Sequence, residues 1–396
     1  MFTLKICFWI LVFIVFYSYL GYGIVLFVLI KLKRIFKGRI KEVYELGELP
    51  EVTLFIAAYN EKDFVDEKIK NSRELDYPAD KLKFVWITDG SNDGTPEILE
   101  KFKDVIVLHE KARNGKIGAI NRGMKYITSP IVVFCDANTM IGSQSIKEIV
   151  RLFKNPKVGC VSGEKRIFKK EKDSAASAGE GIYWKYESKL KQWDAELYSV
   201  VGAAGELFAI RTILFEEVEQ DTLLDDFIIS LRIALKGYTI QYNPEAYAIE
   251  SSSANVKEEM KRKVRIAAGG IQSIIRLKEL LNIFKYGVLS FQYISHRVLR
   301  WSIAPLSLPF IYLINFILAY SEGIKSLGLF FTLFILQNVF YLSALIGWYL
   351  ENHKLRIKIL FVPYYFFIMN LSVFLGFKRF YSKQQSVNWE RAKRGS

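Results

Sequence analysis

Three aspartates, Asp89, Asp136 and Asp226, stand where carboxylates can act on a phosphate-bearing ligand. Asp89 ends the apolar run Leu82 to Asp89 (LKFVWITD) and opens into Gly-Ser-Asn-Asp-Gly-Thr, while Asp136 ends a second run, Ile131 to Asp136 (IVVFCD). Asp226 opens a helical pattern in Leu224-Asp225-Asp226-Phe227. Parallel strands that deliver carboxylates at their C-terminal ends build nucleotide and metal sites at the crevice of an α/β sheet.

The neighbours of these residues extend the chemistry. Asp136-Ala-Asn138 suits a divalent cation such as Mg²⁺, which takes few protein ligands and keeps waters and substrate phosphates for the rest. With Asn in the last place, Asp136 carries most of the charge. Small residues in Ala57-Ala58-Tyr59-Asn60-Glu61 let a flat base and ribose approach the backbone, although an ordinary strand-to-helix turn reads the same way. Gly90 and Gly94 permit unusual backbone angles beside Asp89, which suits an imino group or hydroxyl of a nucleoside. Lys116, in Gly-Lys-Ile-Gly, falls at a helix start where phosphate oxygens also meet free N–H groups, but this is not a Walker sequence. The Asp225-Asp226 pair suits helix capping, and capping alone accounts for one of the two. The second is a candidate general base if burial or nearby charge lifts its pKa. In Lys261-Arg262-Lys263-Val264-Arg265-Ile266, Arg262 and Arg265 are three apart, so on a helix they share a face and suit a diphosphate. Tyr183, Trp184, Tyr186 and Trp193 are core aromatics or platforms for a sugar ring.

The elements that must position these groups alternate. Strands are expected at 52–58, 82–88, 105–108, 131–135 and 159–162, with helices near 61–75, 96–103, 116–127 and 143–153 between them. That is the pattern of a doubly wound, mostly parallel sheet. Residues 5–30 form an apolar stretch long enough to cross a bilayer, and a membrane anchor is favoured over a signal peptide because the core is long and no cleavage pattern follows. Further apolar stretches cover about 301–320, 327–350 and 357–376. The chain therefore divides into an anchor helix (1–32), an α/β domain (45–270), an amphipathic interfacial helix region (271–300), a C-terminal membrane region (301–376) and a basic tail (377–396).

The net charge of +14 has a membrane reading. Lys31, Lys33, Arg34, Lys37, Arg39 and Lys41 follow the first span, which places the middle domain in the cytoplasm and draws anionic lipid head groups. No basic helix or binding motif points to nucleic acid. The same rule disfavours exporting a tail rich in Lys378, Arg379, Lys383, Arg391, Lys393 and Arg394, so the Pro305/Pro309 segment is expected to be re-entrant or interfacial. The three cysteines, Cys7, Cys135 and Cys160, form neither a disulfide framework nor a structural metal site.

Taken in order, AAYNE, TDGSNDGT, NGKIGAIN, FCDANT, GAAGELFAIR, LLDDFIISLRIALKGY and RKVRIAAGG resemble the processive family 2 glycosyltransferases, the group of cellulose, hyaluronan and poly-N-acetylglucosamine synthases. These segments cover about 52–270. The resemblance implies a GT-A type, Rossmann-like cytoplasmic domain flanked by transmembrane helices in the inner (cytoplasmic) membrane. It implies an inverting, metal-dependent enzyme that uses a UDP-sugar and Mg²⁺ or Mn²⁺ to build a cell-surface or extracellular polysaccharide. Residue by residue, Ala57, Tyr59, Glu61 and Asp89 would hold the uridine, Lys116 the donor region, and Asp136 with Asn138 the metal. Gly202 to Gly205, Glu206 and Trp184 would border the acceptor, Arg262 and Arg265 would meet the diphosphate, and Asp226 would be the catalytic base. Two departures stand out. Ile266 replaces the Trp of the family's Gln-x-x-Arg-Trp motif, which puts processivity in doubt, and Trp389 with Arg394 only loosely resembles a gating tail motif. Single-sugar transfer to a polyprenyl phosphate or other lipid acceptor, and a non-catalytic membrane partner that binds glycan or nucleotide, remain the alternatives.

Overall fold

The computed structural model describes residues 1–38, 47–168, 176–251, 256–323, 328–353 and 357–382. Arg39, Lys41, the tail from Lys383 with Trp389, Arg391, Lys393 and Arg394, and the side chains of Lys37 and Tyr183 lie outside the described residues.

The apolar runs pair into one sheet of eight strands, β1 (Val52–Ala58), β2 (Leu82–Asp89), β3 (Val105–Glu110), β4 (Ile131–Asp136), β5 (Met140–Ile141), β6 (Val158–Phe168), β7 (Leu207–Arg211) and β8 (Thr239–Ser251). Their order is β3-β2-β1-β4-β7-β6-β8-β5. The β1–β2, β1–β4, β2–β3 and β6–β8 ladders are parallel, and β7 runs antiparallel to β4 and β6. Along β1, Phe55 and Ala57 enter one core while Leu54, Ile56 and Ala58 enter the other. A strand covered on both faces must be apolar at every position, which is why these runs do not alternate with polar residues. Ala57 lies opposite Asp136 and Ala58 opposite Thr88, so the strand ends are level and their acidic residues emerge along one edge. That edge is where the strand order reverses, between β1 and β4.

The expected strands end within about two residues of the observed ones, except β6, which continues to Phe168 along β8. β5, β7 and β8 were not among the expected strands. Lys68 braces the site edge from behind. It is fully buried on the helix Lys62–Arg73, and its Nζ reaches the Thr139 carbonyl at 2.5 Å and Cys135 Sγ at 3.1 Å, gripping the turn after β4.

Four helical stretches are long and apolar enough to cross a membrane: Phe2–Phe36, Ile303–Glu322, Leu329–Glu351 and Ile359–Tyr381. The Pro305/Pro309 segment, expected to be re-entrant or interfacial, is instead part of one continuous helix of 20 residues. Pro305 sits in its first turn, where no intrahelical N–H is required, and Pro309 follows one turn later. Residues 271–300 also differ from the single amphipathic helix expected. Residues 271–276 finish the helix Val256–Arg276, the short turns Lys278–Leu281 and Ile283–Tyr286 follow, and after Gly287, whose φ of +52° favours glycine, the chain is helical from Val288 to Trp301. The Ala267-Ala268-Gly269-Gly270 run lets the helix Val256–Arg276 pack closely on three sides. A Cβ at Gly376 would stand 2.6 Å from Ala267, one at Gly269 2.7 Å from Leu224, and one at Gly270 2.6 Å from Trp301. Small residues bring helix backbones together in this way.

Lys68→Met removes a buried donor and leaves the Thr139 carbonyl with only the Cys135 thiol at 4.0 Å. We expect a loss of about 2–3 kcal/mol, read as a lower melting temperature in detergent; an unchanged melting temperature would contradict this role.

Candidate active site

Ala57, Ala58, Tyr59, Asp89, Arg113 and Lys116 line a narrow cleft at the ends of β1 and β2. Asp89 is buried, and its Oδ2 accepts from the N–H groups of Asn114 and Gly115 at 2.9 and 2.7 Å. Burial raises its pKa, while those N–H groups and the Arg122 guanidinium, 3.6 Å from Oδ1, pull it back. Asp89 therefore also fixes the loop that starts the helix Gly115–Met124. Tyr59 stacks under the Arg113 guanidinium, 3.7 Å from the ring centre, forming one wall of the cleft. Glu61 is buried outside the cleft lining, two residues beyond Tyr59, and its backbone N–H donates to Thr95 Oγ1 at 3.0 Å.

Beside this cleft lies an acidic centre. Lys116 Nζ sits 3.0 Å from Asp136 Oδ1 and 3.3 Å from Asp225 Oδ2. Burial opposes the ammonium charge, but the carboxylates of Asp136, Asp225 and Asp226 outweigh it and hold the Lys116 pKa above its ordinary value. Burial likewise raises the Asp136 carboxyl, against the pull of Lys116. Leu224, not an aspartate, occupies the N-cap of the helix Asp225–Leu235, and both aspartates lie in its first turn. Asp225 turns to Lys116, and Asp226 faces the cavity described below. Burial, reinforced by Asp225, raises the Asp226 carboxyl to about 7.

These residues fit a divalent cation. A positively charged ammonium already sits between two hard oxygen donors at this point. Among the described residues no group of three or more His, Cys, Asp or Glu side chains is gathered, consistent with a cation that leaves positions for substrate phosphates. Asn138 is half-buried in the turn two residues beyond Asp136.

Asp226 opens onto a cavity of about 630 Å³ that runs from the sheet edge to the helix Lys358–Tyr381. Glu206, Lys165 and Arg262 line its polar end. Lys165 pairs with Glu206 at 2.6 Å and also with Glu250, while Arg262 forms a forked pair with Glu259 at 3.0 Å on both arms. Burial works against the Glu206 charge, but Lys165 and Arg262 hold its pKa far below the usual range. Trp184 lies against the cavity with the Lys165 and Lys263 ammonium groups 5.6 and 5.5 Å from its ring. Ile266 lines the cavity at the place where the resembled motif carries Trp. Gly205 lies beside Asp226, its virtual Cβ 3.2 Å from Oδ2, and Gly202 (φ +85°) lies under the Phe227 ring, where a Cβ would collide.

Arg265 does not join this site. It is exposed, while Arg262, Lys263, Ile266 and Ala267 face the cavity. Residues at i, i+1, i+4 and i+5 form that face, so position i+3 falls past its edge. Lys165 and Glu250 were missed because the ends of β6 and β8 were not legible. Glu187, Arg297 and Arg300, also on the cavity wall, left a weak signal: Glu187 and Asp194 stand seven apart on one helix, opposite the basic-aromatic run near 296–300.

Residues 53–219 match the family model described as glycosyl transferase family 2. This stretch belongs to a GT-A-like fold and is set among apolar helices of membrane length, and its likeness is to the family 2 glycosyltransferases. The particular relatives follow. The chain is 27% identical over 242 residues to a poly-β-1,6-N-acetyl-D-glucosamine synthase of Staphylococcus aureus, covering 58% of this chain and 57% of that protein. It is 26% identical over 243 residues to the synthase of the same name from Staphylococcus epidermidis, covering 59% and 57%. It thus spans just over half the length of these relatives. A mannosyltransferase from Pyrobaculum calidifontis, solved with GDP-mannose and Mn²⁺, shares the fold with a TM-score of 0.71 at 20% identity, over 96% of this chain and 100% of that one.

Gly202→Ala places a Cβ against Phe227 at a backbone angle that disfavours it. A cost of about 1–3 kcal/mol is expected, with turnover falling because Phe227 adjoins Asp226. Wild-type melting and turnover in this variant would show that the contact is not needed.

Proposed function

We propose that the chain transfers a sugar from a UDP-sugar to an acceptor held in the cavity, with inversion, and extends a surface polysaccharide from the cytoplasmic face of the inner membrane. The observation that carries this reading is Asp226, a half-buried carboxyl with its pKa raised to about 7, facing a cavity between the donor-type cleft and the membrane helices. The curated relatives support the polymer product, and the motif order supports the donor.

Each step rests on named atoms. The nucleoside enters the cleft of Ala57, Tyr59 and Asp89, with Glu61 behind it. Lys116 and Arg262 offset charge on the diphosphate as the bond to the sugar breaks. Asp136, with Asn138, would hold Mg²⁺ or Mn²⁺, which would supply further positive charge at the leaving group. The acceptor lies against Trp184, Glu206 and the open side of Gly205. Its hydroxyl gives a proton to Asp226 Oδ2 and attacks the anomeric carbon on the face opposite UDP, so the configuration inverts. Anionic membrane lipids meet the basic collar after the first span.

A second reading, single transfer to a lipid-linked acceptor, is favoured by one observation: Ile266 and the apolar residues of the helix Lys358–Tyr381 form much of the cavity wall. Product sizing separates the two, because a ladder or polymer marks extension and one lipid-linked species marks single transfer.

The general base must be deprotonated to work. Because burial raises the Asp226 pKa, kcat/KM should rise with pH through about 7, and Asp225→Asn, by removing a neighbouring negative charge, should move that limb to lower pH. A limb unmoved in Asp225→Asn would reject the assignment. UDP release from membranes across a panel of UDP-sugars, with and without chelator, tests the whole reaction. Asp226→Asn should lose at least about 100-fold; full turnover in this variant would sink the proposed mechanism.

A further inference from the structure

One cation on the cavity wall has no role in the chemistry above. Lys191 stands on the helix Ala176–Leu197, seven residues after Trp184, so the two share a face about 10 Å apart along the helix axis. Lys191 is 6% exposed and lines the cavity that contains Asp226. Its Nζ lies 5.8 Å from the centre of the Tyr242 ring, and among the described residues no ion pair or hydrogen bond reaches it.

The other cations of the cavity are matched. Lys165 pairs with Glu206 and Glu250, and Arg262 and Lys263 share Glu259 at 3.0 and 3.5 Å. Arg297 and Arg300 take one oxygen each of Glu187, at 2.7 and 2.9 Å, and His296 Nε2 lies 3.1 Å from the first of these oxygens. Glu187, one turn before Lys191, is therefore fully engaged. Glu164 accepts from Ser188 Oγ at 2.5 Å and from the hydroxyl of Tyr242, the ring that Lys191 faces. The carboxylates closest to Lys191 along the helix and across Tyr242 are thus committed elsewhere.

That arrangement narrows the ligand. A buried ammonium without a counter-charge is costly, and in this cavity the ligand is what can bring one. A neutral sugar supplies hydroxyl dipoles and no charge. A phosphate suits forked guanidinium groups, and those on this wall already hold carboxylates. One compact ammonium balances one carboxylate.

We propose that Lys191 is a specificity-determining residue that binds a carboxylate of the acceptor, so that the acceptor is an acidic glycan. With a sugar ring against Trp184, the carboxylate belongs to that sugar or to the next one along the helix. The inference rests on the glycosyltransferase reading and adds the acceptor's chemical class.

The test titrates the full chain in detergent with cellobiouronic acid, its C6 amide and cellobiose, which match closely in shape and differ in charge. The acid should bind at least about tenfold more tightly than either neutral sugar. Lys191→Met should erase that preference while UDP still binds, which shows that the fold and the donor cleft are intact. Equal binding of the three sugars by the wild type overturns the proposal, as does a preference that survives Lys191→Met. Tighter binding of cellobiose 6′-phosphate than of the acid overturns the carboxylate. Should Lys191→Met lose UDP binding through misfolding, the wild type decides with cellobiose 6′-aldehyde and cyanoborohydride, which reduces the imine that the aldehyde forms with an amine. Label on Lys191 that cellobiouronic acid prevents supports the proposal, and label confined to other lysines removes it. Absence of UDP release with any donor strikes the transferase reading instead, and these binding results still decide whether Lys191 holds a carboxylate.

Discussion

The constraint on which the structure depends is the burial of several carboxylates at one end of a sheet. Asp136, Asp225, Asp226, Glu206 and Glu250 are close enough that the charges of some raise the pKa values of others. Left alone, such a cluster would take up protons or spread apart, because a buried charge without a partner costs several kcal/mol. Lys116 and Lys165 prevent this. Lys116 ties β4 to the helix Asp225–Leu235, and Lys165 ties β6 to Glu206 before β7 and to Glu250 in β8. Each bridge holds charge and also fixes the spacing of elements that lie far apart in sequence. Asp226 is the exception that gives the cluster its chemistry: it faces the cavity, and burial raises its proton affinity.

The membrane part is joined to this centre by polar contacts as well as apolar packing. The Tyr22 hydroxyl and the Gln292 amide both donate to Asp194, and Arg34 forms a forked pair with Glu196 at 2.6 and 2.7 Å. All three carboxyl-bearing positions, Glu187, Asp194 and Glu196, lie on the helix Ala176–Leu197, which also carries Trp184 on the cavity wall. One helix therefore touches the first apolar span, the interfacial turns and the site. Movement of the span relative to the domain would break the buried Tyr22–Asp194 hydrogen bond and the Arg300 bond to the Ser18 carbonyl, so the cavity and the first apolar helix are expected to move together.

Much of the α/β half was legible because its strands are short, wholly apolar runs that end in acidic or glycine residues. The same logic failed for β7 and β8. Leu207–Arg211 is five residues long and β8 mixes Gln241, Asn243 and Glu245 among its apolar positions, so neither run differs from a loop or helix edge by composition. Arg265 was misjudged for a related reason: helical spacing says which residues share a face but not which face meets the site. The region 271–300 has the composition of an amphipathic helix, but Gly287 breaks it.

The residue order by itself determined the alternation of strands and helices, the apolar spans, and the aspartates at strand and helix ends. These follow from local rules of periodicity and backbone preference, which act within a few residues. Only the tertiary structure decided that Lys116 stands between Asp136 and Asp225, that Arg262 but not Arg265 meets the cavity, and that Glu187 gathers Arg297 and Arg300. Those pairings join residues about 20 to more than 100 positions apart, where the energy of burying charge selects partners and local sequence carries no record of the choice.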